Sequence, residues 1–207
     1  MLGVVVGFKA EARIAARMGR VAISGARPGL ADSAVKGLIA AGATELISFG
    51  LAGGLAPGLE PGDLIIATTV LVGEAHRPAD PALSNRLSAV LPEAHLGAVI
   101  GREAAVTDAA AKRTLHEATG ALAVDMESQA VAAGGLPFAV LRAIADPADR
   151  CLPPAALVGL RADGSADVGA VLLSLLRTPA QLPRLVGLAR ESRAALRALE
   201  RAVSRLM

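Results

Sequence analysis

The sequence predicts an α/β domain of the three-layer α/β/α type, with a mixed and mainly parallel central sheet. Short apolar runs alternate with segments of helical periodicity, which is the pattern of strands joined by crossover helices. Hydrophobic residues make up 53% of the 207 residues and charged residues 19%, which is enough apolar material for one large core. We therefore expect residues 1–207 to form a single domain that ends in C-terminal helices.

Each predicted element follows from its local pattern. Seven apolar runs of strand length predict strands, at Leu2–Val6, Arg20–Ser24, Glu45–Phe49, Asp63–Leu71, Leu96–Ile100, Ala121–Val124 and Phe138–Ile144. The segments between them predict helices, at Glu11–Met18, Gly29–Ala41, Asp108–Thr119 and Glu127–Ala133. Ligands of such sheets bind beyond the carboxyl ends of the strands, so the residues that follow each run are the candidates for a site.

The chain beyond Pro153 is expected to be helical to its end. From Gln181 to Met207, apolar residues recur at helical spacing with arginines among them. This pattern favours a helix that packs on the domain and exposes an arginine face. The alternative is a basic amphipathic helix that lies on an anionic membrane.

The composition argues against several classes of protein. Phe8, Phe49 and Phe138 are the only aromatic residues, so modules that stack nucleic-acid bases on aromatic platforms are not expected. The net charge of +2 gives no reason to expect a nucleic-acid partner. Cys151 is the only cysteine, which predicts a reducing compartment such as the cytoplasm. No signal sequence, membrane span or metal-ligand spacing of histidines is visible, and no cofactor is expected.

Two glycine-rich segments follow predicted strands. The run Gly50–Gly58 would let backbone N–H groups approach an anion or a sugar. Its spacing is not that of a dinucleotide loop, however, and a tight connection between two strands explains it equally well. The segment Ser24–Gly29 leads into a helix, and the N-terminus of that helix together with Arg27 suits a phosphate or a carboxylate.

Two acidic motifs carry the strongest signal in the sequence. Val124–Ser128 reads Val-Asp-Met-Glu-Ser, and Arg142–Asp149 reads Arg-Ala-Ile-Ala-Asp-Pro-Ala-Asp. Each motif places carboxylates at the end of an apolar strand, where burial is expected and an unpaired charge is costly. Turn formation by the aspartates and a favourable charge at a helix N-terminus are the alternatives. Because the two motifs follow the glycine segments in a defined order along the chain, the combination favours a functional role over these alternatives.

Taken in order, these motifs resemble the nucleoside phosphorylase and nucleosidase superfamily, which includes the enzymes that cleave methylthioadenosine and adenosylhomocysteine. The similarity extends through Asp149, and the run Val124–Pro154 looks most like the hopanoid-associated phosphorylases, which are thought to remove adenine from adenosylhopane. Its other motifs are Gly7 with an acidic residue after it, the strand and helix around Gly25, and Gly50–Gly54 with Pro61-Gly62-Asp63. The resemblance implies cleavage of the N-glycosidic bond of a purine nucleoside, with release of adenine.

The resemblance also assigns roles to individual residues. Asp146 matches the acid that serves N7 of the leaving base, Glu127 matches the carboxylate that binds the ribose hydroxyls, and Met126 lies against the sugar. Holding a proton near neutrality requires a raised pKa at Asp146, through burial or through a neighbouring charge such as that of Asp149. The other residues that the resemblance implies around the substrate are Ala52, Gly53, Val106, Asp125 and Ala145.

The nucleophile is left open. Nucleosidases orient the attacking water with an acidic residue after the first strand, and here only Glu11 is present, one position short of the usual spacing from Gly7. Phosphorylases hold phosphate with arginines instead, and the candidates for such a site are Gly25, Arg27 and Arg102. Hydrolysis and phosphorolysis, the latter with phosphate as co-substrate, therefore both remain open.

The expected partner is a small-molecule nucleoside, which is lipid-linked if its 5′ group is a hopane. The chain is short between Met18 and Arg20, where relatives carry extra strands, and this would open the pocket on the 5′ side of the ribose. Relatives are commonly dimers or larger, so a homo-oligomer is expected, with peripheral membrane contact as an addition to a cytoplasmic location. A second class of function is a nucleoside-binding or regulatory protein of the same fold that has lost turnover, which the displaced Glu11 motivates.

Overall fold

A computed structural model describes residues 1–26, 29–154, 156, 164–165, 173–174 and 177–207. The strands are β1 (Leu2–Val6), β2 (Arg20–Ile23), β3 (Glu45–Gly54), β4 (Leu64–Val72), β5 (Ala75–Pro78), β6 (His95–Gly101), β7 (Ala123–Asp125) and β8 (Phe138–Asp146). The helices are α1 (Lys9–Ala15), α2 (Leu30–Ala40), α3 (Pro81–Val90), α4 (Ala109–Thr119), α5 (Ser128–Ala133) and α6 (Leu182–Leu206), and a 3-10 turn at Pro179–Gln181 precedes α6.

The central sheet is mixed and mainly parallel, as predicted. Among the described residues, five strand pairings are parallel and three are antiparallel. The strand order is β2-β1-β3-β7-β6-β4-β5, and β8 pairs with both β3 and β4. Strands β3, β8, β4, β6 and β7 therefore close into a ring. The predicted α/β class is confirmed, and the ring is a feature that the alternation of elements does not predict.

Helices cover both faces of the sheet. Side chains alternate between the two faces of a strand, so Val5 of β1 packs in the core beneath α2 and α5, whereas Val4 and Val6 pack in the core beneath α1, α3 and α6. Every residue of β8 is buried, as expected of a strand that is covered on both faces. These two cores form the predicted three layers.

The C-terminal helix α6 is a packing helix along most of its length. It packs against β8, and its buried residues are Ala195, Ala198, Leu199, Ala202 and Val203. Its first turns are different, because Leu182 and Val186 are exposed there. None of the described helices is long and apolar enough to cross a membrane.

The first glycine segment is strand from Gly50 to Gly54 and a turn at Pro57-Gly58 that leads towards β4. Strand β3 continues from Glu45 through Gly54, so the prediction that it ends at Phe49 is wrong. Gly53 and Gly54 pair with Val124 and Ala123 of β7, and the pairing with β8 shifts register at the Ala52/Gly53 step. Because glycine has no side chain, β3 can bring its end close to carboxylates from two other elements.

Two further elements escape the sequence patterns. Strand β5 is exposed at all four of its residues, so it has no apolar run that would mark it. Helix α3 buries only Leu83 and Leu87. Its start has a recognisable signal, because the Asp80 side chain accepts a hydrogen bond from the Leu83 N–H and a proline occupies the first turn.

Candidate active site

A cavity of about 310 Å³ lies where the carboxyl ends of β1, β3, β7 and β8 meet. The residues predicted from the sequence that line it are Ala52, Gly53, Val106, Asp125, Met126, Glu127, Ala145 and Asp146. Much of the remaining wall is apolar and includes Phe8, Leu51, Leu152 and Leu188. Asp125 and Asp146 are 21 residues apart in the chain. The two acidic motifs nevertheless line the same cavity.

A fully buried arginine, Arg142, organises the acidic motif that follows β7. Its Nη2 donates to Glu127 Oε2 over 3.2 Å and to the Ser48 hydroxyl, and its Nη1 donates to the Leu51 carbonyl over 3.2 Å. Its Nε lies 3.1 Å from Asp125 Oδ2. The Nε–H bond does not point at this oxygen, so the contact is an ion pair and not a hydrogen bond. Burial would lower the pKa of Arg142, but the neighbouring carboxylates raise it, so the guanidinium stays charged.

Asp125 shapes the turn into α5. Its Oδ1 accepts hydrogen bonds from the N–H groups of Glu127 and Ser128, over 2.8 and 2.7 Å, and its Oδ2 accepts from the Ser128 hydroxyl. These bonds satisfy backbone donors at the start of a helix. They hold Glu127 at the cavity wall.

Glu127 is 4% exposed and bridges two elements. Its Oε1 accepts a hydrogen bond from the Ser24 hydroxyl over 2.8 Å, while Oε2 faces Arg142. Burial raises the pKa of Glu127, the Asp125 charge adds to the rise, and Arg142 opposes it. A Cβ on Gly7 would lie 3.1 Å from Oε1, so the glycine after β1 leaves room for this carboxylate.

Glu11 of α1 is 1% exposed and does not itself line the cavity, but its carboxylate contacts two residues that do, Phe8 and Leu51. Its Oε2 accepts hydrogen bonds from the N–H groups of Gly7 and Phe8, both over 2.8 Å, and its Oε1 accepts from the Leu51 N–H over 2.7 Å. Helix α1 begins at Lys9, two residues before the predicted start. This earlier start places Glu11 in the first turn, where it bridges the ends of β1 and β3.

The charge state of Glu11 depends on its burial. Desolvation raises the pKa of Glu11 to about 7, and the nearby Glu127 charge contributes to the rise. Arg142 and the backbone donors act in the opposite direction. Near neutrality the carboxyl is therefore divided between its protonated and ionised forms, which suits a group that accepts and returns a proton.

Asp146 ends β8 and is held by a lysine from α4. Lys112, which is 0% exposed, donates to Asp146 Oδ2 over 2.5 Å. The same ammonium contacts the Pro147 and Arg150 carbonyls over 2.9 and 3.1 Å. Asp146 Oδ1 receives no hydrogen bond from the part of the chain that the structure describes, and it is the oxygen left for a ligand.

Burial raises the pKa of Asp146 to about 6, and Lys112 opposes the rise. The negative neighbour that adds to the rise is Glu191 of α6. The expectation that Asp149 supplies this charge is wrong, because the side chain of Asp149 is exposed and its charge does not contribute.

Of the candidates for a phosphate site, the two that the structure describes, Gly25 and Arg102, do not line the cavity. Gly25 is buried with a φ of +64° but does not line it. Arg102 has an exposed side chain, and its backbone N–H donates to the Asp125 carbonyl over 2.9 Å. Arg27 lies outside the described residues.

The sequence patterns miss the two buried cations, Arg142 and Lys112. A signal exists for Arg142, because an arginine inside the apolar strand β8 requires an acidic partner. No comparable signal marks Lys112, since α4 has one large apolar residue, Leu115, and the partner Asp146 is 34 residues away. The hydroxyl partners Ser24, Ser48 and Ser128 are likewise visible only once the strands are assembled.

The family model described as "Phosphorylase superfamily" matches residues 19–177. No curated protein matches the chain. Among solved structures, the 5′-methylthioadenosine/S-adenosylhomocysteine nucleosidase of Helicobacter pylori is similar, with a TM-score of 0.68, 18% identity, and coverage of 98% of this chain and 97% of that chain.

Two other solved structures resemble the chain to the same degree. The corresponding nucleosidase of Neisseria meningitidis has a TM-score of 0.69 and 18% identity, covering 98% of this chain and 96% of that chain. The futalosine hydrolase of Helicobacter pylori has a TM-score of 0.67 and 17% identity, covering 98% and 97%. At this level of identity the likeness establishes the fold.

Proposed function

Because the chain belongs to the phosphorylase superfamily, we propose that it is an enzyme that hydrolyses the N-glycosidic bond of a purine nucleoside and releases adenine. The observation that carries the proposal is that Glu127 and Asp146 line one largely apolar cavity, with Glu11 buried directly behind Phe8 and Leu51 of its wall. The pKa of each of the three carboxyls is raised. The similar solved structures are nucleosidases and a futalosine hydrolase by name, which supports the same class of reaction.

Asp146 is the acid that serves the leaving base. As the C1′–N9 bond breaks, its electron pair moves into the purine, and the purine needs a proton at N7. The raised pKa of about 6 keeps part of Asp146 protonated near neutrality. The free Oδ1 then donates its proton to N7 and the residue becomes a carboxylate.

Glu127 binds the ribose. A carboxylate accepts hydrogen bonds from the 2′- and 3′-hydroxyls, and its negative charge stabilises the oxocarbenium-like sugar that forms as the base departs. This role requires the ionised form. Arg142 favours that form, because it opposes the rise in the pKa of Glu127 that burial causes.

Glu11 activates the attacking water. The water oxygen bonds to C1′ while one of its protons passes to the Glu11 carboxylate, so the products are adenine and a free sugar. Hydrolysis is preferred to phosphorolysis because the described cavity wall contains three carboxyl side chains and no lysine or arginine, an environment that repels phosphate.

The proposed substrate is a nucleoside with a bulky apolar 5′ group, such as adenosylhopane. The aliphatic wall of the cavity, including Leu51, Leu152 and Leu188, suits such a group. Leu188 lies in α6, whose exposed Leu182 and Val186 are within about 10 Å of it along the helix axis. With the exposed Arg190 one turn beyond Val186 on the same face of the helix, these residues would contact an anionic membrane from which the substrate enters.

A substrate and phosphate series tests these assignments. Free adenine is measured with adenosylhopane, methylthioadenosine and adenosine, and hypoxanthine release is measured with futalosine, each with and without inorganic phosphate. Fastest release from adenosylhopane, at a rate indifferent to phosphate, is expected. A rate that rises in proportion to phosphate overturns hydrolysis, and adenine binding without base release from any nucleoside identifies a binding protein instead.

The membrane contact has its own test. The wild-type protein is expected to float with vesicles that contain anionic phospholipid and not with neutral vesicles. The double substitution Leu182→Ser and Val186→Ser should abolish flotation without lowering the thermal midpoint of unfolding, since both residues are exposed. Equal flotation of the variant and the wild type would exclude this segment as the contact.

A further inference from the structure

Lys112 has a position that packing alone does not explain. It is the buried residue of α4, although a lysine is among the residue types least often fully buried. An apolar side chain would cover the sheet at a lower cost in desolvation. The lysine is therefore there for what its charge contacts.

Those contacts all belong to the end of β8 and the turn after it. The ammonium lies within 3.3 Å of four oxygens, the Asp146 carboxylate Oδ2 and the carbonyls of Asp146, Pro147 and Arg150. An ammonium has three N–H donors, so this shell saturates it. The lysine fixes the turn and the rotation of the Asp146 carboxylate together.

In this orientation of the Asp146 carboxylate, Oδ2 contacts the Lys112 ammonium and Oδ1 is available to a ligand in the cavity. When Oδ1 loses its proton to a leaving base, the negative charge that appears on the carboxylate has a cation 2.5 Å away. In a buried setting such a pairing is much stronger than in water. The reverse arrangement, an isolated buried aspartate, would release its proton reluctantly.

We infer that Lys112 is a positioning residue that orients the acid Asp146 and compensates the charge that Asp146 acquires when it protonates the leaving base. The inference rests on the proposed function for the identity of the proton acceptor. In the proton transfer the Asp146 Oδ1–H bond breaks and an N7–H bond forms on the leaving base, while Lys112 keeps its own protons.

The other charged groups near Asp146 do not substitute for Lys112. Glu191 of α6 is negative and pairs with Arg150, whose Nε lies 3.3 Å from Glu191 Oε1. Asp149 and Arg184 share the outer wall beside Asp146 with Arg150 and Glu191. Of all these groups, Lys112 is the cation that holds the carboxylate itself.

The first experiment needs no turnover. The carboxyl of Asp146 is followed by carbon-13 NMR across pH, with its resonance assigned by Asp146→Asn, in the wild type and in Lys112→Gln and Lys112→Met. Both variants are expected to titrate at least about one pH unit higher than the wild type. Lys36→Met, which removes an exposed lysine of α2, is the matched control and should leave the titration unchanged. An unshifted titration in folded Lys112 variants overturns the inference.

A measurement on the wild type covers the case in which neither variant folds. The Lys112 Nζ resonance should move with the same midpoint as the Asp146 carboxyl, because the two groups are in contact. A Nζ resonance that is indifferent to that titration overturns the inference.

The second experiment separates charge compensation from a merely structural role. Lys112→Gln is expected to slow adenine release about 10- to 100-fold and to move the alkaline limb of the pH profile upward. It should spare a nitrophenyl riboside, whose leaving group needs no proton. Equal losses on both substrates, with an unmoved limb, mean that Lys112 only supports the fold. If the wild type releases no base from any nucleoside, the proposed function fails, while the carboxyl titration still decides the role of Lys112.

Discussion

At the scale of single residues, Glu11 is the group on which the choice of hydrolysis depends. The substitution Glu11→Gln keeps the shape of the side chain and removes its ability to take a proton from water. We expect base release to fall about 10²- to 10⁴-fold, measured as free adenine. The exposed Glu74 supplies the matched control, because Glu74→Gln makes the same change of charge away from the cavity. Wild-type activity in Glu11→Gln would show that another group activates the water.

The two raised pKa values predict the pH dependence. Glu11 must be ionised and Asp146 protonated, and the pKa values are about 7 for Glu11 and about 6 for Asp146. Activity therefore falls below about pH 7, because Glu11 becomes protonated there, and above about pH 6, because Asp146 loses its proton there. A bell-shaped profile of kcat/KM centred near about pH 6.5 is expected, measured with a soluble nucleoside. A profile that is flat from pH 5 to 8 would contradict these roles.

Part of the site is predictable from the sequence because its residues lie close together in the chain. The Asp125 and Glu127 motif and the position of Asp146 follow from acids at the ends of apolar strands. Arg142 and Lys112 complete the site only after folding, since Lys112 and Asp146 are 34 residues apart. When the cation that pairs with a buried acid comes from another element, the sequence does not show which cation it is.

At the scale of elements, the glycines of β3 make the site possible. Gly50 has a φ of +147°, and a Cβ there would lie 2.4 Å from Glu11 Oε1. The strand pattern identifies these glycines but treats them as a turn, because an interior glycine weakens a strand. Their purpose emerges only when α1 is packed against β3 and the Glu11 carboxylate occupies the space that a side chain would fill.

The substitution Gly50→Ala tests this arrangement. It should displace Glu11, lower the rate of base release at least about 10-fold and destabilise the fold by about 1 to 3 kcal/mol. Gly37→Ala is the matched control, because Gly37 lies in α2 with open space around it and alanine favours a helix by up to about 1 kcal/mol. Full activity in Gly50→Ala would mean that Glu11 does not need the space that the absent side chain of Gly50 provides.

At the scale of the whole molecule, the buried carboxyls make stability depend on pH. The pKa of Glu11 rises from 4.5 to about 7 on folding, so the folded protein holds a proton that the unfolded chain releases. Its contribution is complete below pH 4.5 and is lost as pH rises through about 7. Asp146 acts in the same direction, between 3.8 and about 6.

The free energy of unfolding is therefore expected to fall between about pH 5 and pH 8, by up to about 3 kcal/mol from Glu11 alone. Denaturant titrations at the two pH values measure the change. Glu11→Gln should show a smaller fall than both the wild type and Glu74→Gln. Parallel curves for all three proteins would mean that Glu11 titrates at its ordinary value.

Closure of the sheet into a ring is the feature of the whole fold that sequence patterns do not predict. The alternation of strands and helices predicts the class and most elements, including α6. It does not predict the ring, because β8 reaches both β3 and β4 through pairings between strands far apart in the chain. Closure of that ring brings the ends of β3, β7 and β8 together at the cavity.

The most direct measurement is the rate of adenine release from an adenosine derivative by the wild type, Asp146→Asn and Asp149→Asn. The two substitutions make the same chemical change three residues apart, one at the buried acid and one at the exposed aspartate of the same turn. Loss of at least about 100-fold in Asp146→Asn, with Asp149→Asn close to the wild type, is the predicted result. Adenine release by Asp146→Asn at the wild-type rate would contradict the claim that this carboxyl protonates the leaving base.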